Sequence, residues 1–180
     1  MGLVSARLKE LGLILPEVGG APSGAYVPYR LSGHTLYISG QVPRVDGVDC
    51  YLGLVGSTMN VEEAYQAARV CALNLLARAA AALDGDLDRI SACLQLRGFV
   101  NAVPDFKDHP AVIDGASDLL IAVLGGERRG IMPAQPLAQV PCRAVLPSRW
   151  TPSLKSSLER QLPFANIDEA RMRCLTKPSR

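Results

Sequence analysis

All sixteen glycines of this 180-residue chain lie at or before Gly130. The last fifty residues contain none, yet they hold seven of the thirteen prolines. Glycine supplies the positive-φ turns that tight folds need, and proline removes a ladder donor from any strand it enters. Residues 1–130 therefore have the turn chemistry of a folded domain, and residues 131–180 lack it. Charge divides at the same point. The front carries 11 Lys+Arg against 14 Asp+Glu, a net of −3, and the back carries 8 against 3, a net of +5. The small overall charge of +2 is the sum of these unlike parts.

Length and composition bound the class. The chain is 48% hydrophobic and 20% charged, which fits one domain able to bury a core without a disulfide or metal staple. No apolar run approaches the roughly 18 residues of a membrane span. The start shows no basic region followed by a continuous apolar stretch, so no secretory leader is read there. The five cysteines (Cys50, Cys71, Cys93, Cys142 and Cys174) then read as reduced cytosolic thiols, and the expected location is cytoplasmic. They form no CxxC, and His34 and His109 are the only histidines, which disfavours zinc. No cofactor is implied. A net charge this small gives no global basic field for nucleic acid.

Local patterns order the front as β-β-α-β-α. Tyr26–Leu31 and Thr35–Ile38 are β-rich runs around a Ser32-Gly33-His34 turn, where His34 reads as hairpin chemistry. A further short strand is expected at Tyr51–Leu54. Asn60 and Glu63 form a capping-box pair ahead of Ala64, Ala67, Ala68, Cys71, Leu75, Ala79 and Leu83 at helical spacing, and Gly85 stops the helix. Its small-residue face suits close packing on a sheet. Ala92–Val100 reads as β. Asp108 and Pro110 open a second helix that ends at Gly125-Gly126.

Three segments resemble the YjgF/RidA family, formerly labelled L-PSP endoribonuclease, and most closely its longer, less characterised branch. They are AYVPYRLSGHTLYISGQVP (25–43), VEEAYQAARVCALNLLARAAAALDGDLDRI (61–90) and GFVNAVPDFKDHPAVIDGASDLL (98–120). Together they place the resemblance over about residues 10–125. It implies an α+β, chorismate-mutase-like domain over 1–130, with a mixed sheet packed against two helices. It also implies a homotrimer with ligand pockets between subunits. The implied activity is hydrolysis of reactive enamine or imine intermediates, 2-imino acid to 2-keto acid plus ammonia.

Carried over position by position, the resemblance assigns Tyr26 to the family's first-strand tyrosine and Ser39 and Gly40 to its SGQ pocket edge. Asn101 falls in the NA-PDF segment at the same rim, and Asp114 falls where many relatives present Asn. Each also has a plain structural reading. Tyr26 reads as a packed hairpin aromatic, Ser39 and Gly40 as a strand end, Asn101 as a turn residue and Asp114 as a cap.

The family's anion-binding arginine and last-strand glutamate follow the second helix, in a stretch resembling HARSAVGxxxLPxxxAVEVE. This chain has GIMPAQPLAQVPCRAVLPSRWT there. Pro133, Pro136, Pro141 and Pro147 make a poor central strand, so the final strand is expected to be disrupted. Arg128 and Arg129 lie nearby but read first as a solvated turn.

The genetic code connects the two strings. Joining the third base of each codon from Gly130 onward to the first two bases of the next forces Ala at Met132-Pro133 and Asp at Trp150-Thr151. With those two fixed, it permits HHARTAVGTSSLP from Gly130 onward and AVEVD from Leu146 to Thr151. We read residues from about Gly130 onward as an out-of-frame or disordered, Pro-rich basic tail. Leu154, Leu158 and Leu162 are its one helical periodicity.

Three functions remain open on the sequence. One is a cofactor-free hydrolase of small 2-imino or enamine acids, disabled in the written frame. Another is a non-catalytic, trimeric small-molecule binder. The last is the family-label endoribonuclease, which ranks lowest because the front offers no His/Lys pair and no aromatic-basic surface.

Overall fold

The computed structural model describes residues 2–18, 24–125 and 132–136. Helix α1 (Leu3–Glu10) precedes strands β1 (Tyr29–Ser32), β2 (Thr35–Ile38), β3 (Arg44–Val45) and β4 (Val48–Asp49). Helix α2 (Val61–Ala82), strand β5 (Gln95–Gly98), helix α3 (His109–Leu124) and strand β6 (Met132–Pro136) complete the order.

Helix α2 starts where its capping chemistry dictates. Asn60 Oδ1 accepts from the Glu63 amide at 2.8 Å, and Glu63 Oε2 accepts from the Asn60 amide at 3.0 Å. It ends because Asp84 and Gly85 both turn to positive φ, 56° and 86°. Helix α3 stops against Gly125, also at φ 86°. The two helices lie side by side, and Gly115 permits the contact. A Cβ there would sit 2.2 Å from the Tyr65 carbonyl oxygen. At Gly98 a Cβ would sit 2.1 Å from Ile113 Cδ1, the tip of a side chain from α3.

The strands pair in three separate two-stranded sheets. β1 pairs antiparallel with β2, with Leu31 opposite Leu36 and Arg30 opposite Tyr37. β3 and β4 form a second antiparallel hairpin, and β5 pairs parallel with β6. The main core joins Leu73, Leu76, Leu96, Leu119, Leu120 and Val123, with Leu36 and Ile38 packed against it from β2. Tyr37 and Phe99 face away from that core and stay exposed.

The structure corrects the expectations at four points. A third helix, α1, buries Val4 and Leu8 in the core, and its start is capped by Asp88 Oδ1, which accepts from the Val4 amide at 3.2 Å. Its short, weakly patterned sequence gave no periodic signal. The strand expected at Tyr51–Leu54 is replaced by β4, since Tyr51 sits at φ 55°, outside extended geometry. A strand not expected in this Pro-rich stretch forms over Met132–Pro136 beside β5, and the last strand, expected to be disrupted, falls past residue 136, outside the described residues. The pairing carries a register shift between Gln95 and Arg97. Cys50, expected as a thiol, is disulfide-bonded, whereas Cys71 and Cys93 are free. Sequence spacing cannot display such a pairing, because folding decides which cysteines meet. The Leu154, Leu158 and Leu162 periodicity, Arg128, Arg129, and the tail from residue 137 lie outside the described residues.

Candidate functional site

The end of β2 folds back on the segment that leads into β1. Ser39 Oγ donates to the Val27 carbonyl at 2.6 Å, and the Ser39 amide donates to the Pro28 carbonyl at 3.0 Å. These bonds hold Ser39 against the stretch that carries Tyr26, whose ring is half exposed. Gln41 Nε2 donates to the Ser39 carbonyl at 2.9 Å and the Gly40 carbonyl at 3.1 Å, closing the turn. Among the described residues, the Gly40 amide donates to nothing. A Cβ on Gly40 would meet no atom within 4 Å. Tyr26, Ser39 and Gly40 thus lie along one edge, which carries an exposed main-chain donor at Gly40.

The Gln41–Asp49 loop borders this edge. Arg44 Nε pairs with Asp49 Oδ1 at 2.6 Å. That hydrogen bond holds the Asp49 carboxyl below the ordinary carboxylate range and raises Arg44. Asn74, from the middle of α2, donates through Nδ2 to the Val42 carbonyl at 2.9 Å and the Arg44 carbonyl at 3.0 Å. Sequence reasoning missed Asn74. Its signal was a lone amide in an otherwise apolar run, CALNLLA.

Asn101 and Asp114 are held elsewhere in the protomer. Asn101 Nδ2 donates to the Gly53 carbonyl at 3.1 Å, and its carbonyl accepts from the Val55 amide at 2.9 Å. It therefore ties two loops together. Asp114 stands on the exposed side of α3, one turn before Asp118. Partial loss of water raises its carboxyl, and the Asp118 charge adds to the shift. Asp118 also accepts from the Tyr65 hydroxyl at 3.0 Å. Asp108, not Asp114, occupies the α3 cap position.

The histidines are not paired for catalysis. His34 is exposed in the β1–β2 turn, and His109 packs edge-on against Phe106 with centroids 5.0 Å apart. Burial pushes the Cys71 thiol up to about 12, leaving it a poor nucleophile. Among the described residues, no group of three or more His, Cys, Asp or Glu is placed to hold a metal, and no helix is long and apolar enough to cross a membrane.

Comparison with known proteins accords with this architecture. Residues 5–141 match a family model described as "YjgF/chorismate_mutase-like, putative endoribonuclease". The match extends past both ends of the resemblance seen in the sequence. The chain is 44% identical over 126 residues to Protein TCP17 of Trypanosoma cruzi, covering 70% of this chain and 78% of that protein. The crystal structure of the Agrobacterium tumefaciens protein Atu1372 superposes with a TM-score of 0.65 at 43% identity, covering 79% of this chain and 87% of that one. A Shewanella oneidensis MR-1 protein described as a putative endoribonuclease superposes with a TM-score of 0.67 at 38% identity, covering 76% and 92%.

Proposed function

The chain belongs to the YjgF/chorismate mutase-like family, and from that premise we propose that its Tyr26–Ser39–Gly40 edge binds small 2-imino or enamine acids for hydrolysis to 2-keto acid and ammonia. The observation that carries the reading is the exposed Gly40 amide, without a partner among the described residues and next to Ser39, whose hydroxyl is bound to Val27 beside Tyr26 in the chain. A fixed main-chain donor suits a carboxylate or a developing oxyanion. Hydrolysis adds water across the imine carbon–nitrogen bond, then breaks that bond as the nitrogen takes a proton and leaves as ammonia. The edge would orient the substrate for that attack without metal or cofactor. Asn101 and Asp114 enter as rim residues supplied across a subunit boundary, in a cytoplasmic homotrimer closed over the exposed Tyr37–Phe99 face.

The written chain lacks the family arginine and glutamate, so its hydrolysis is expected to be weak and to return in the shifted frame. The test generates a 2-imino acid in place with an amino-acid oxidase and follows ammonia release. It compares the chain as written with the chain read in the shifted frame from Gly130. Acceleration over the spontaneous rate by the shifted-frame protein, and little by the written one, is the expected result. No acceleration by either defeats the hydrolase reading. A second reading, a binder without catalysis, draws on Asp114. An ionised carboxylate there opposes an acidic ligand, and ligand-induced stabilisation without turnover would select it. Endoribonuclease activity, which the family description names, would instead show as salt-dependent RNA cleavage.

A further inference from the structure

We propose that Asn74 is the positioning residue of this site, setting the Ser39–Gly40 edge from the middle of α2. This deepens the hydrolase reading and rests on it for the effect on turnover, but not for the geometry. Asn74 spends both Nδ2 hydrogens on main-chain carbonyls thirty or more residues earlier, Val42 at 2.9 Å and Arg44 at 3.0 Å. No local interaction supplies that tether. The tethered loop follows directly on Gln41, whose side chain closes the Ser39 and Gly40 carbonyls. Ser39 in turn holds the Tyr26–Val27 segment through Val27. The tether thus runs from a 22-residue helix to Val42, and through the peptide bond to Gln41 reaches the turn that carries Ser39 and Gly40. An edge of short strands and turns has few other restraints, and a small misplacement of a catalytic edge is costly in rate. The neighbouring Arg44–Asp49 pair stiffens the far side of the same loop. It is exposed and screened, so it does not replace the tether.

Asn74 uses both Nδ2 hydrogens to reach the two carbonyls, of which Val42 also accepts from the Arg44 amide at 2.8 Å. Asn74→Ala removes the donor. Asn74→Asp puts a carboxylate against two carbonyl oxygens above its pKa, and once protonated it can donate to only one of them. This gives the tether a pH signature that simple packing lacks.

The experiment measures amide hydrogen exchange of the full-length chain and both variants from pH 7.5 to 4.5, each as protection relative to the parent at the same pH. The 39–50 segment and the α3 core segment 116–124 are compared. Protection of 39–50 is expected to fall about tenfold in both variants at pH 7.5, the scale of one to two lost hydrogen bonds, while 116–124 is unchanged. The Asp variant alone should regain part of its loss on acidification. In the shifted-frame protein, if it turns over, kcat is expected to fall with the loop protection while KM moves less. Unchanged protection of 39–50, or equal loss in 39–50 and 116–124 with no Asp-specific recovery, overturns the proposal. If the parent hydrolyses nothing, the hydrolase reading falls, and the exchange result still decides the role of Asn74.

Discussion

Asp114 shows how one side chain links charge, stability and ancestry. Its carboxyl titrates above the ordinary range because packing removes water from it and Asp118 repels a second negative charge. A carboxyl with a raised folded pKa binds its proton more tightly when folded. The stability it contributes is therefore full at low pH and is lost as pH rises through the raised value. Asp114→Asn removes the charge and the like-charge pair one helical turn apart. Because the site is exposed, solvent screening limits the gain at pH 7 to under about 1 kcal/mol. Urea unfolding at pH 7 and pH 3 checks this, with a gain expected only at the higher value. An equal gain at both would mean the aspartate acts through something other than its ionisation. Tyr26, Ser39, Gly40 and Asn101 were legible as types at positions. Whether each was a ligand or a scaffold residue was not, because that depends on where its hydrogen bonds run.

Among the elements, the long helix was the most legible, since cap, periodicity and stop all lie within a few residues of each other. The Asn60–Glu63 box, the alanine-rich body and Gly85 define α2 without tertiary help. Its packing depends on another element. Gly115 brings α3 onto the Tyr65 carbonyl, and both the nearest atoms a Cβ would strike are backbone. Gly115→Ala is therefore expected to destabilise by about 1–3 kcal/mol, because overpacking outweighs the helix propensity gained. A drop in the urea midpoint without a change in slope is the expected outcome. A rise would show that α2 and α3 separate at little cost. The β elements were located to within a few residues, but their ends moved, because pairing partners rather than local composition decide where a ladder stops.

For the whole molecule, two aromatic side chains, Tyr37 and Phe99, point away from the core. Phe99 is 72% exposed and Tyr37 61%, side chains that the proposed assembly would cover. Sedimentation velocity is expected to show a trimer, and Phe99→Asp is expected to return it to monomer with the helical signal intact. A monomeric parent would contradict the trimer reading. Within the protomer Asn101 is bound to Gly53 and Asp114 lies beside Asp118, and no bond ties either to the Tyr26–Ser39–Gly40 edge among the described residues.

The sequence by itself determined where the helices α2 and α3 begin and end, which glycines turn the chain, the α+β class and the family. These follow from interactions between residues close in the chain, or from motifs kept in order. Only the tertiary structure decided that Leu3–Glu10 is a helix worth burying, that Met132–Pro136 lies beside β5, that Cys50 is oxidised, and that Asn74 reaches back to Val42 and Arg44. Each of these joins residues far apart in sequence. Local periodicity carries no record of such contacts, because their free energy exists only once the chain has closed around them.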